Sequence, residues 1–309
     1  MKILLVGASG FIGKNFIKSA PCDWQIWGVY RLDNDFIKFA KPFTNLTLVP
    51  CNLQNDSEAK KLSQLPEQFD VTLFVWGNSD IGLSVLRPID DLNSNCVSLI
   101  NLISNTKTNK FIFMSSGTVY MGQSGLVDGN KMLNPGTPYG INKLASEMFV
   151  SSFAQKTDRI KSFVNIRFFG AYGPMEPQRK IYTNLIRVFV QEGRNEYKIS
   201  GDGENYIDAM YIDDLILALK AIIKSDKGNL TVDLCRGEHL TINELVKKAA
   251  EIFKVKGLVL RHEGVSSEPI RFFASTDTFQ RQFGFKPSVS LESGMNLFRD
   301  YILGGPTNA

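Results

Sequence analysis

Short, largely apolar runs alternate along the chain with longer segments in which apolar residues recur every three or four positions. ILLVG (3–7), WQIWGVY (24–30), NLTLVPCNL (45–53), VTLFVWG (71–77), KFIFMSS (110–116) and SFVNIRFFG (162–170) read as strands. A strand that is apolar on both faces must be covered on both, which points to parallel strands between helical layers. Between these runs, FIGKNFIKSA (11–20), SEAKKLSQL (57–65), DLNSNCVSLINLISNT (91–106) and the stretch from Tyr139 to Gln155 carry helical spacing. The alternation predicts an α/β fold around a parallel sheet. It becomes less regular after Tyr172, where Pro174, Pro177 and a charged patch begin, and a second lobe is expected to start there.

Composition narrows the picture. The 309 residues are 43% hydrophobic and 21% charged, as in an ordinary globular protein. A net charge of +4 without a run of basic residues gives no reason to expect nucleic acid. Cys22, Cys51, Cys96 and Cys235 stand far apart with no CxxC pair, which suits a reducing compartment and speaks against a zinc site or disulfide framework. The apolar core of MKILLVGASG is too short for a signal peptide, and apolar stretches such as LILAL (215–219) are broken by charge. A cytoplasmic protein with no membrane partner and no metal is expected.

Two constellations carry chemistry. The first is GASGFIG, in which Gly7, Gly10 and Gly13 follow the first strand and open the first helix. Backbone amides and the positive end of the helix dipole at such a turn can hold a pyrophosphate, and glycines permit the tight turn and the close approach. The spacing is G-x-x-G-x-x-G rather than G-x-G-x-x-G. The second is Tyr139-Gly140-Ile141-Asn142-Lys143, preceded by Ser115, Ser116 and Thr118 after the fifth strand. Tyr139 and Lys143, four apart, share a helix face. An ammonium beside a phenol favours the phenolate, so the Tyr139 pKa is expected to fall towards working pH. With a hydroxyl from Ser116 to hold the substrate oxygen, this is a proton relay for interconverting an alcohol and a ketone beside a nicotinamide.

GASGFIG, FMSSGTVY, YGINK, RFFGAYGP and GDGENYIDAMYIDDL, in that order, resemble the extended short-chain dehydrogenase/reductase family, and within it the NAD-dependent epimerase/dehydratase group acting on nucleotide sugars. The resemblance implies a Rossmann-like doubly wound parallel sheet with a smaller C-terminal substrate-binding lobe. The expected bounds are 1–171 for the NAD(P)-binding domain, rejoined by about 208–236, with 172–207 and 237–309 forming the lobe. It implies Tyr139 as acid/base, Lys143 as ribose anchor and Ser116 as substrate hydroxyl partner. Cofactor contacts are expected from Gly7, Ser9, Gly10, Phe11, Ile12, Gly13, Asn52, Leu53, Val75, Trp76 and Gly77, beside Tyr139 and Lys143. Asn95 matches a helix asparagine that the family places near its active site. Thr118, Phe169, Gly170, Arg179 and Arg271 are the expected substrate contacts. A homodimer is expected through the helices around 95–104 and 139–153, with Leu99, Ile103, Leu144 and Phe149 as apolar positions beyond the needs of one sheet face.

The resemblance also orders the reactions. Sugar 4,6-dehydratases carry an Asp-Glu pair after their Ser/Thr, where this chain has Gly117 and Thr118. Decarboxylating relatives tend to keep a Glu at the Thr118 position. Epimerase-reductases resembling GDP-fucose synthase need a Cys there and a His after the YGP turn, where this chain has Met175. What remains is reduction of a 4-keto sugar or 4-epimerisation. An acid usually binds the ribose 2′-OH after the second strand. Here Tyr30 and Arg31 stand at that place, and Arg31 suits a 2′-phosphate. NADP(H) and 4-keto reduction are therefore expected ahead of NAD(H) and 4-epimerisation. If Asp33 is the ribose ligand instead, that order reverses. Ile207 replaces the Arg that often precedes the Asp208 position, which leaves room for an unusual substrate. A non-catalytic dinucleotide sensor remains a further alternative.

Overall fold

The computed structural model describes residues 1–31, 33–129, 131–264 and 270–304. Seven parallel strands form one sheet, in the spatial order Leu230–Leu234, Ile160–Phe168, Thr108–Ser116, Phe69–Phe74, Lys2–Val6, Gln25–Tyr30, Leu46–Pro50. The chain starts in the middle, winds outward to one edge, then returns to build the other half. The order reverses between Lys2–Val6 and Phe69–Phe74, and a crevice opens outside the carboxyl ends of the strands at such a point. This is a Rossmann-like doubly wound sheet.

Two-sided burial explains the unbroken apolar runs. In the first strand Ile3 and Leu5 belong to one core, while Leu4 and Val6 belong to the other. The first core includes Phe16 and Ile17 of helix Phe11–Ser19 and much of helix Ile212–Lys224. The second packs Leu99, Leu102 and Ile103 of helix Ser98–Asn105 and Val150 of helix Pro138–Lys156 against Phe74, Phe111 and Phe113. The seventh strand, Leu230–Leu234, lies beyond the irregular region in sequence and pairs with Ile160–Phe168.

Some elements differ from the periodicity. The segment 57–65 divides into a short helix, Asp56–Ala59, and a 3-10 turn, Lys60–Gln64. The segment 91–106 reads as helix Pro88–Leu92, a π-helical turn Asn93–Val97 and helix Ser98–Asn105. Helix Asn34–Ala40, for which no pattern stood out, is started by Asp33, whose carboxylate accepts from the amides of Asp35 and Phe36.

Four short strand pairs form most of the remaining β-structure: Ala171–Tyr172 with Met210–Tyr211, Glu196–Ser200 with Val259–Glu263, Tyr206–Ile207 with Leu240–Thr241, and Ser124–Val127 with Arg271–Ala274. The turn after Tyr172 is tied to the first helix, since Asn15 Nδ2 donates to the Pro174 carbonyl at 2.9 Å. Buried Asp214 fastens the C-terminal region to helix Ile212–Lys224 by accepting from the Ser288 and Val289 amides at 3.0 and 2.9 Å. Among the described residues no helix is long and apolar enough to cross a membrane, and no His/Cys/Asp/Glu cluster suits a metal.

Candidate active site

A cleft of about 470 Å³ lies at the switch point, over the carboxyl ends of the central strands. Gly7, Gly10, Phe11, Ile12 and Gly13 line it from the first turn, and Val75, Trp76 and Gly77 from the fourth strand's end. Ser116, Thr118, Tyr139 and Lys143 line it from the fifth strand and the helix that follows, and Phe169 and Gly170 from the sixth. Ser9 belongs to the same glycine turn but is not among the lining residues.

The three glycines do three different things. Gly7 has a positive φ of 96°, and a Cβ there would sit 2.9 Å from the Trp76 nitrogen, so its bareness lets two strand ends approach. At Gly13 a Cβ would fall 2.3 Å from the Gly7 carbonyl oxygen and 2.8 Å from Ala8 Cα, so here the helix packs against the turn itself. Gly10 is the exposed N-cap, where a Cβ would meet only the Gly7 oxygen at 3.2 Å. No side chain caps this helix start. The first-turn amides and the positive end of the dipole therefore face the cleft, an arrangement that suits a pyrophosphate.

Helix Pro138–Lys156 begins on Pro138, with Thr137 capping the Gly140 amide at 3.3 Å. Tyr139 follows at once, and its own amide donates to the buried Ser84 hydroxyl at 3.2 Å. One turn on, Lys143 is buried, and its ammonium donates to the Met114 carbonyl at 3.0 Å. The ammonium lies 5.1 Å from the Phe113 ring centroid and 5.7 Å from that of Tyr139.

Burial outweighs the effect expected from sequence. It pushes the Tyr139 phenol up to about 12, a hydrogen bond with Ser116 pulls it back, and the Asp91 charge raises it further. The phenol is therefore raised rather than lowered, and it holds its proton at neutral pH. The same burial pulls Lys143 down to about 8, while Asp91, Cys96 and Glu147 hold it up. Ser116 accepts from the Thr118 amide at 3.2 Å and from its hydroxyl at 3.0 Å. A Cβ on Gly117 would press on the Phe169 ring at 3.2 Å, so that ring takes the place beside Ser116 where a larger residue would extend.

Sequence reasoning pointed to Asn95 but passed over Asp91 and Glu176. Asp91 is 2% exposed and accepts from Asn78 and Asn142 at 2.7 Å each and from Asn95 at 3.1 Å. Asn95 Oδ1 is buried without a partner and faces Gly77, where a Cβ would lie 2.3 Å away. Glu176 is the single carboxyl among the described residues lining the cleft. Its Oε2 accepts from the Thr183 amide at 3.0 Å and hydroxyl at 2.7 Å, and burial raises it to about 7. Met175, at a positive φ of 67°, shapes the turn that presents it. An acidic residue two places after Gly-Pro was the available signal, but only the tertiary turn gives it meaning.

Other expected contacts fall elsewhere. Arg31 is exposed, lies 5.8 Å from the Trp76 ring and lines a second cavity of about 330 Å³ with Gln54, Arg87 and Arg179. The two cavities share Gly77, Asn78 and Ser79. Arg179 pairs with Asp80 at 3.2 Å, while Lys180 lines the main cleft. Asn52 and Leu53 line neither cavity: the Asn52 amide donates to Glu58 at 2.8 Å, and Leu53 is fully buried. Arg271, about half exposed on its short strand, lies 3.9 Å from Glu204 and also outside both cavities. His239 stacks on Phe273, and His262 pairs with Asn243, away from the cleft.

The family model described as the NAD dependent epimerase/dehydratase family matches residues 3–234. A Bacillus subtilis protein named as an uncharacterized UDP-glucose epimerase is 26% identical over 314 residues, covering 96% of each chain. Human dTDP-D-glucose 4,6-dehydratase is 24% identical over 82% of this chain and 74% of its own. In structure, the chain superposes on Thermotoga maritima UDP-glucose 4-epimerase, solved with UDP-glucose, with a TM-score of 0.87 and 22% identity over 98% and 99% of the two chains. It superposes on Bacillus cereus UDP-glucuronic acid 4-epimerase, solved with UDP-glucuronic acid and NAD, with a TM-score of 0.85 and 23% identity over the same shares.

Proposed function

The chain belongs to the NAD dependent epimerase/dehydratase family, and we propose that within it the chain is a nucleotide-sugar 4-epimerase that keeps its NAD bound. The observation that carries this reading is the buried set of Tyr139, Lys143 and Ser116, opening onto the same cleft as the glycine turn. The turn 7–13 would hold the pyrophosphate, and Lys143 with Tyr139 the nicotinamide ribose. Val75, Trp76 and Gly77 would close one wall. Bound NAD supplies the hydride acceptor and donor. The protein's own task is to move the proton of the C4 hydroxyl: Tyr139, a phenol at rest and touching Ser116, would have to give up its proton to solvent first, and would then take the C4 proton as the phenolate and return it as the phenol.

Dehydration needs a further acid and base next to Ser116, and Gly117 under the Phe169 ring offers neither. The 4-keto reduction expected from sequence rested on Arg31. That side chain is over Trp76 at the second cavity, away from the glycine turn that lines the main cleft. The relatives with 4-epimerase names, including one solved with NAD, support the order reversed from the sequence expectation: NAD ahead of NADP(H), and epimerisation ahead of reduction. The condition tied to that reversal, Asp33 as ribose ligand, is a separate matter, because its Oδ1 is engaged as a helix cap. Residues 172–207 and 237–309 would receive the nucleotide sugar.

We also read the chain as a homodimer. Leu99 and Ile103, expected at the interface, are buried inward against the sheet. Exposed apolar side chains lie instead on the preceding helices Ile81–Leu86 and Pro88–Leu92, among them Leu86 and Ile89, and on helix Pro138–Lys156, where they are Ile141, Met148 and Phe149, and a second copy would cover them.

The test is mass spectrometry of cofactor released on denaturing the purified protein, then turnover of UDP-sugars without added cofactor. Stoichiometric NAD and interconversion of C4 epimers are expected. A protein that arrives empty and oxidises NADPH with a 4-keto sugar would reinstate the reductase.

A further inference from the structure

The buried carboxylate of Asp91 is not needed to close a helix or to pair a cation at contact distance, yet three amides from three segments converge on it. Asn78 comes from the loop shared by both cavities, Asn95 from the π-helical turn, and Asn142 from the position before Lys143. Two of these bonds are 2.7 Å, and the residue is 2% exposed. A buried charge held by neutral donors is solvated but not neutralised, so its field reaches its neighbours in a medium that screens poorly.

We propose that Asp91 is a positioning residue that acts through Lys143: it keeps the ammonium charged inside the cleft and locks the Asn142 and Asn95 side chains that flank it. The inference rests on the assignment of Lys143 as the cofactor-anchoring ammonium. Everything else close to that ammonium leaves a task for a counter-charge. Phe113 and the Tyr139 ring are uncharged faces, and the Met114 carbonyl is a single neutral acceptor. Cys96 is a buried thiol, hydrogen-bonded to the Asn142 carbonyl and Ser146. Glu147, the carboxylate on the helix of Lys143 itself, is taken by Arg167 at 2.9 Å and by the Ser115 hydroxyl. Burial alone drives Lys143 towards the neutral amine, and Asp91 is the foremost opposing influence. Tyr139 faces Ser116 and the same Asp91 charge, which favours the protonated phenol. One carboxylate thus sets both partners of the relay in the same sense, cation and neutral acid.

Lys143 titrates at about 8 with Asp91 in place. Removing the negative charge stabilises the neutral amine and moves this titration down, by about one pH unit at the low end of what an opposite charge contributes. The experiment compares wild type with Asp91→Asn by two readouts. The first is the pH at which Lys143 becomes half-reactive to acetic anhydride, read by peptide mass spectrometry. The second is the pH dependence of NADH binding by fluorescence. Both midpoints are expected near 8 in the wild type and about one unit lower in the variant, with affinity at pH 6 retained.

Loss of affinity by the same factor at every pH, with the labelling midpoint unmoved, would make Asp91 merely structural and overturn the inference. If the labelling midpoint moves and NADH binding ignores it, the influence on Lys143 stands and the anchoring role of Lys143 falls. Should Asp91→Asn not fold by circular dichroism, Asn78→Ala is the second variant. It removes one amide from the carboxylate, leaves a less compensated charge and is expected to raise the labelling midpoint. An unmoved midpoint there overturns the inference equally.

Discussion

Replacing the glycines of the first turn one at a time separates cofactor cradling from packing. At Gly10 the backbone is at φ −77°, which any residue adopts, and an added methyl meets only one oxygen at 3.2 Å. Alanine is a poorer N-cap than glycine by about 0.5–1 kcal/mol. It also stiffens the unfolded chain, which offsets about 0.4–1 kcal/mol. Gly10→Ala should therefore melt within a degree or two of wild type. Its methyl nevertheless stands at the mouth of the amide cradle. Losing one charge-assisted hydrogen bond of about 1.5–3 kcal/mol weakens NAD binding on the order of ten- to a hundredfold. At Gly13 the methyl would fall 2.3 Å from the Gly7 oxygen and 2.7 Å from the Ala8 oxygen, both rigid backbone atoms. Alanine's helix preference returns about 1 kcal/mol, against an overpacking cost of about 3 kcal/mol. A net loss of about 2 kcal/mol lowers Tm on the order of 5 °C in a chain of this size. The assays are thermal melts of cofactor-stripped proteins and calorimetric titration with NAD. If Gly10→Ala binds NAD as wild type does, the pyrophosphate does not lie at this turn. If both variants melt alike, the division of labour among the glycines is wrong.

Three other outcomes follow from the same geometry. Tyr139→Phe should keep its NAD and lose about 10²–10⁴ in turnover, the range of a general acid–base contribution, and near-wild-type steady-state rates would remove Tyr139 from the reaction. Glu176 has a folded pKa raised from 4.5 to about 7, so its penalty is absent below 4.5 and fully present above 7. Glu176→Gln should accordingly raise Tm at pH 8 and leave it unchanged at pH 4.5, with about 3 kcal/mol as the upper bound at 1.36 kcal/mol per pH unit, and equal shifts at both pH values would contradict the burial argument. Leu86→Glu with Met148→Glu, on side chains 80% and 66% exposed, should convert a dimeric mass to a monomeric one in light scattering, and an unchanged mass would move the interface elsewhere.

Local pattern was enough for the frame. The central sheet strands are apolar runs because both sheet faces are buried there, and a run such as Leu4-Leu5-Val6 leaves the chain no exposed face to choose. The glycine turn was legible because its position after the first strand gives its spacing a meaning. Tyr139 and Lys143 were legible because four residues is one helical turn. Each of these features lies within a dozen residues of sequence, where chain geometry dictates proximity. Other features depend on packing between distant segments. Asp91 and Asn142 are 51 residues apart and meet only because the helical segment ending at Leu92 packs beside helix Pro138–Lys156. The rise of the Tyr139 pKa required knowing that burial exceeds the pull of neighbouring groups, a balance set by how deeply the helix seats. Leu99 and Ile103 carry the composition of an interface yet face the sheet, since a helix's pattern gives the width of its apolar stripe but not which neighbour covers it. Arg179 and Arg271 show the same limit for charge. Sequence says that a guanidinium is present, and only the fold decides that one reaches Asp80 beside the second cavity while the other stays on an edge strand near Glu204.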